Sequence, residues 1–289
     1  MFIKNKRLLQ IVCAVSAVLF VIGVFLDEQI SSAVFNMQSG FGSFFAGMGE
    51  FPCVAASFLA AELFVTAADT KRKNHMYFCY GCAGLVGLFG LLIATEPLDH
   101  YTTLLAAGAA ALQVILALLI CLVFYKRILE LSRNDRMRLA LFISGSLLLM
   151  IGSVFVLKHL WGRPRYRAVS VTKDLDFRPV WAPSHSLADS FPKLEHDEFR
   201  SFPSSHTSCA AAIILISLLI GYIPSLKQHA FTADIIAFAY TALVAFSRII
   251  MGAHYLTDVT AGWMIMVCAA WCMSLLFLKK GNVRTKQAS

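Results

Sequence analysis

Eight stretches of this chain are apolar over a length that matches the thickness of a lipid bilayer. They lie near residues 8–26, 51–68, 76–95, 102–125, 139–157, 207–223, 230–246 and 255–277. A helix needs about 20 residues to cross roughly 30 Å of hydrocarbon. Composition points the same way: 58% of residues are hydrophobic, 15% are charged and the mean hydropathy is +0.70, far too apolar for a soluble domain. The expected fold class is therefore an all-α polytopic membrane protein with about eight transmembrane helices. The first run is preceded by Lys4, Lys6 and Arg7 and followed by Asp27 and Glu28. It lacks a small-residue cleavage site, so it reads as a retained anchor and not as a removed signal peptide.

Lysines and arginines collect in cytoplasmic loops. The amino terminus, residues 70–75, residues 126–138, Lys227 and the tail from Lys279 hold 16 of the 25 basic residues. Both termini are therefore expected inside a cell membrane. An even number of spans then places the remaining basic residues, in the 158–206 loop and at Arg248, on the outer face. The net charge of +8 is mostly this topology signal plus attraction to anionic lipid. Nucleic-acid binding has no soluble domain to carry it.

Three polar clusters interrupt the apolar pattern on that outer side. In KHLWGRPRYR (158–167), Lys158, Arg163, Arg165 and Arg167 crowd the end of the fifth span. Snorkelling side chains are common at span ends, but four cations on the disfavoured face form an anion trap. FPSSHTS (202–208) opens the sixth span with proline and serines, directing free helix N–H groups and the positive dipole end outward, beside His206. In SRIIMGAHYLTDV (247–259), His254 and Asp258 are four residues apart at the start of the eighth span. They are expected to share a helical face, the carboxylate fixing the imidazole tautomer. Arg248 precedes them by six residues. Cations, two histidines and one carboxylate, without the carboxylate cage that magnesium requires, point to metal-independent phosphoryl transfer. One histidine attacks phosphorus in line, the other protonates the leaving oxygen, and fixed cations stabilise the equatorial oxygens.

From Lys158 to about Gly262 the chain resembles the type 2 phosphatidic acid phosphatase superfamily, the lipid phosphate phosphatases, which share a core with vanadium haloperoxidases and bacterial acid phosphatases. The family's first motif is a lysine, six residues, then Arg-Pro. Lys158 and Arg165 fit it with Tyr166 in place of proline, while Arg163-Pro164 offers an Arg-Pro two residues early. Arg165 is the expected phosphate ligand, with Arg163 as the alternative cation. Pro203, Ser204 and His206 match Pro-Ser-Gly-His, with Ser205 replacing glycine. Ser247, Arg248, His254 and Asp258 match the third motif position for position. The resemblance implies His254 as a nucleophile forming a phosphohistidine, Asp258 as its orienting partner and His206 as general acid. It assigns phosphate binding to Lys158, Arg165, Arg248, Ser204 and the amides near Ser205 and His206. No cofactor and no metal are expected.

The family core usually has six spans, so residues 1–138 are expected to contain helices partly outside it. Residues 139–278 would form the phosphatase core, with an outer loop at 167–201, and 279–289 a cytoplasmic tail. The loop is polar and long for a segment without a role, and whether it acts as a lid is left open. Its His185, Asp189, Glu195, His196 and Asp197 match no metal-ligand spacing. Glu62 and Gln113 are costly inside a membrane and are expected to make structural hydrogen bonds. The eight cysteines, including the Cys79–Cys82 pair, read as packing residues. Motifs at span ends place phosphorus at headgroup depth, so the expected partner is a lipid phosphate within the bilayer. Phosphatidate, lysophosphatidate, phosphatidylglycerophosphate and polyprenyl diphosphates all fit, and oligomeric state is left open. A lipid phosphotransferase using the same histidine, and a non-catalytic membrane protein, are the alternatives.

Overall fold

A computed structural model describes residues 6–95, 103–184 and 186–278. Lys4, His185 and the tail from Lys279 lie outside the described residues. The protein is an all-α polytopic membrane protein. Its helices are α1 (Lys6–Val34), α2 (Gly40–Met48), α3 (Phe51–Ala67), α4 (Lys73–Thr95), α5 (Thr103–Ile128), α6 (Arg133–Trp161), α7 (Tyr166–Val169), α8 (Ser205–Ala211), α9 (Ile213–Tyr222), α10 (Ala230–Ile250) and α11 (Leu256–Phe277). Among the described residues, eight spans are long and apolar enough to cross a membrane, with α2 and α3 in one and α8 and α9 in another. No strand occurs among the described residues.

The centre of the bundle is α3, which packs against α4, α5 and α6. Its Cys53, Ala55, Ala56, Ala60 and Ala67 are fully buried. Small side chains let helix backbones approach closely, which is how helices associate where lipid removes the hydrophobic drive. Leu139, Phe142, Ile143 and Met150 of α6 fill the adjoining core. Away from it, Phe25, Leu85, Leu122 and Leu148 are each more than 70% exposed. Large apolar side chains so open, on four separate helices, suit hydrocarbon and not water.

The bundle has two polar ends. At one, Arg133 pairs with Asp69 at 3.0 Å and Ser225 bonds Glu130, so the lysine- and arginine-rich turns meet there. The other end carries the segment between α6 and α8. Gly162 ends α6 in the left-handed region (φ 61°), which glycine adopts without steric cost. The segment is not a bare loop. Ala168, Leu175 and Phe199 form a satellite core with Leu187, Phe191 and Leu194. The indole N–H of Trp161 donates to the Val180 carbonyl at 2.6 Å, and the Ser184 amide to the Trp161 carbonyl at 2.7 Å.

Two features of the amino-terminal half depart from the sequence reading. The first helix does not stop before Asp27 but continues to Val34, with Asp27 facing inward at 2% exposure. A short helix, α2, then caps the same end as the α6–α8 segment. It is opened by Ser39, whose hydroxyl accepts from the Gly42 amide at 3.1 Å.

Candidate active site

The three motif segments are stitched together by their backbones. The Ser201 amide donates to the Arg163 carbonyl (3.0 Å), the Ser204 amide to the Asp258 carbonyl (3.1 Å) and the Arg167 amide to the Gly252 carbonyl (3.0 Å). Gly252 has a φ of 61°, and a Cβ there would lie 2.6 Å from the Phe35 ring. Only glycine allows that turn together with this approach of the α1–α2 link.

These contacts close a cavity of about 330 Å³ lined by Lys158, Arg165, Arg167, Arg248, His206 and His254, with Ser205 and Asp197. Met37, Ser43 and Ala46 of the α1–α2 region complete its wall. Larger hollows of about 620 and 570 Å³ flank α1, but their linings are almost wholly apolar and lack these charges. The chemistry therefore belongs to the smaller cavity.

Its cations are held from behind. Lys158 Nζ donates to the Arg200 carbonyl at 3.1 Å. Arg165 is buried and pairs with Asp197 at 2.5 Å, while Arg167 forks onto Glu198. The α6–α8 segment thus supplies Arg165 and Arg167 together with the carboxylates that aim them. Arg248 is buried at the end of α10, and its carbonyl accepts the amides of Ala253 and His254 at 3.1 and 3.3 Å.

His254 does not stand on α11, contrary to the shared-face expectation. That helix starts at Leu256, with Tyr255 as N-cap and the Asp258 carboxylate accepting the Tyr255 amide at 2.8 Å. His254 lies in the turn before it, 2% exposed, with Nδ1 2.6 Å from the Ser201 carbonyl. A carbonyl only accepts, so Nδ1 carries the proton and Nε2 keeps its lone pair. Burial first, then the charges of Lys158, Arg165, His206 and Arg248, push the His254 imidazole well below the ordinary histidine range. The ring is neutral and fit to attack.

Asp258 is 3.9 Å from His254 Nδ1, too far for a hydrogen bond. It accepts from Arg163 at 2.6 Å and from the Ser201 hydroxyl. It therefore acts on His254 through Ser201 and the turn, instead of gripping the ring. Arg163 is likewise placed differently from the alternative phosphate role: it lies outside the cavity lining at 1% exposure. There it bridges Asp258 and Asp27 (2.9 Å), donates to Thr257 and to the Arg178 carbonyl, and stacks 4.1 Å from the Tyr255 ring centre. Ser204 is fully buried and spends its hydroxyl on the α8 cap, accepting from the Thr207 amide at 3.3 Å. Ser205 and His206 reach the cavity.

Sequence reasoning missed three contributors. Asp27 ties α1 to Arg163 and Thr257. Ser201 orients His254. Glu50, 3% exposed between α2 and α3, places a carboxylate oxygen 3.6 Å from His206 Nδ1. A lone acid between apolar stretches on the side that holds the basic clusters was the available signal for Glu50. Glu62 lines a lipid-facing hollow with Cys121, apart from the cavity. The described cysteines are all free, and no three His, Cys, Asp or Glu side chains gather as a metal cluster among the described residues.

Phosphatidylglycerophosphatase B of Bacillus subtilis (strain 168) is 34% identical over 93 residues, which make up 32% of this chain and 43% of that protein. The similarity thus spans less than half of the relative's length. No solved structure matches. The model of the PAP2 superfamily matches residues 138–282, just over half of the chain and the stretch holding all four cavity cations and both histidines. The chain belongs to the PAP2 superfamily.

Proposed function

We propose that this protein is a lipid phosphate phosphatase that hydrolyses a terminal phosphate through a phosphohistidine, without a metal. The observation that carries the reading is the sharing of one cavity by a neutral buried histidine, a second histidine and four cations, at the ends of apolar spans. Nε2 of His254 attacks phosphorus, forming an N–P bond as the ester P–O bond breaks. His206 gives its proton to the leaving oxygen, releasing the alcohol. Water then attacks the phosphohistidine, His206 takes a proton from it, and inorganic phosphate leaves with His254 restored. Lys158, Arg165, Arg167 and Arg248 meet the charge on the equatorial oxygens, the part that magnesium plays elsewhere.

Membership of the PAP2 superfamily and the Bacillus relative support a lipid substrate, and that relative's name makes phosphatidylglycerophosphate the first to test. The basic turns at the far end of the bundle support cytoplasmic termini and a site on the outer face of the cell membrane. Phosphate release from phosphatidylglycerophosphate, phosphatidate, lysophosphatidate and a polyprenyl diphosphate in detergent micelles, with excess EDTA, tests the reading. Release from at least one of them in EDTA is expected. Loss of activity in EDTA with recovery in magnesium would overturn it, and labelled phosphate appearing on an acceptor lipid would indicate a phosphotransferase.

A further inference from the structure

The proposed reaction asks opposite things of two histidines in one cationic cavity. His254 must be neutral to attack, and His206 must hold a proton to give. Both share a cavity with Lys158, Arg165, Arg167 and Arg248, with Asp197 the carboxylate on its lining. Four cations disfavour a further positive charge on either ring, so the cavity alone cannot assign the protons. The difference lies behind the rings. His254 Nδ1 faces a neutral carbonyl at 2.6 Å, whereas His206 Nδ1 faces the Glu50 carboxylate at 3.6 Å.

Glu50 is set in place by other elements. It follows Gly49, the C-cap of α2, and forms the N-cap of α3, its carbonyl accepting the Cys53 amide at 2.9 Å. The last two carbonyls of α2 are gripped from outside. Gln113 of α5 donates to Gly47 at 2.9 Å and Tyr240 of α10 to Met48 at 2.6 Å. This gives Gln113, a costly residue within the membrane, a role in holding the turn that carries Glu50.

We propose that Glu50 is a positioning residue for the general acid, its buried carboxylate 3.6 Å behind Nδ1 favouring the proton-bearing form of His206 by charge, with Nε2 toward the leaving oxygen. The inference rests on the reading of His206 as general acid. It also gives the α2–α3 turn, upstream of the family match, a part in the chemistry.

The test uses the full-length protein in detergent and two substrates with the same long chain, an alkyl phosphate and a nitrophenyl phosphate. A nitrophenolate leaves without a proton and an alkoxide does not. The ratio of kcat/KM for the two, measured on one preparation, is independent of how much of a variant folds. Glu50→Gln keeps shape and removes charge. It should shift the ratio against the alkyl phosphate roughly 10- to 100-fold, part of the 10² to 10⁴ a general acid supplies, and should move the alkaline limb of the alkyl-phosphate pH profile to lower pH. In a His206→Ala background, Glu50→Gln should leave the ratio unchanged, because the two act as one unit. An unchanged ratio in Glu50→Gln, or an equal shift with and without His206, overturns the inference alone. A His206→Ala variant that leaves the ratio untouched overturns the reading on which it rests.

Discussion

The wall of the cavity that holds His254 and the wall that holds His206 are built from different parts of the chain. His254 sits in the α10–α11 turn, within the matched core, and everything fixing it is close by: the Arg248 carbonyl, Ser201 and the cap formed by Asp258. His206 opens α8, also in the core, yet the carboxylate behind it comes from the α2–α3 turn, upstream of the family match. Both rings are buried and share the same cations. What distinguishes them is what their rear nitrogens meet, which a motif confined to one side of the cavity does not encode.

The largest expected effect breaks the His254 wall. His254→Ala removes the nucleophile and should lower turnover by about 10⁴-fold or more for every leaving group. Wild-type phosphate release from that variant would end the mechanism proposed here. His206→Ala sharpens the contrast: a loss of roughly 10² to 10⁴-fold with alkyl leaving groups and much less with nitrophenolate, measured as kcat/KM, which reports the step that expels the leaving group. Equal losses for both would remove the distinction between the walls.

A third expectation separates Arg163 from Arg165, which are two residues apart. Arg163→Met leaves Asp27 and Asp258 buried without their cation, a change of about 3–5 kcal/mol in comparable buried pairs. It should lower the thermal unfolding midpoint in detergent. Arg165→Met should leave that midpoint near wild type and raise KM. The smallest effect concerns pH. His254 is held well below the ordinary histidine range, so it stays neutral as pH falls through 6.5, and the acid limb of kcat/KM should not lie at an ordinary histidine value. An acid limb near 6.5 that vanished in His254→Ala would contradict that placement.

How much of this was legible follows the same division. Apolar length alone marked the spans, and the third motif marked Arg248 and His254, because their spacing survives in a single turn. The choice between Arg163 and Arg165 was harder, since residues 162–165 lie between helices and periodicity cannot say which side chain turns inward. Asp258 was placed beside His254 by helical spacing, but the helix begins one residue after Tyr255, so the carboxylate serves the cap and Arg163 instead. Asp27 looked like the flank of a span because a charge beside an apolar run usually is one. Only the fold brings it to Arg163 and Thr257. Glu50 reaches His206 across the bundle, a pairing with no local pattern to reveal it.

Trapping the covalent intermediate tests the central claim most directly. The long-chain nitrophenyl phosphate, labelled in its phosphate, is mixed with enzyme for milliseconds, the reaction is quenched in alkali, and the labelled peptide is mapped. An acid-labile, alkali-stable phosphate is expected on His254, present in His206→Ala and missing from His254→Ala. Label on another residue, or full turnover with no labelled protein at any quench time, would contradict it.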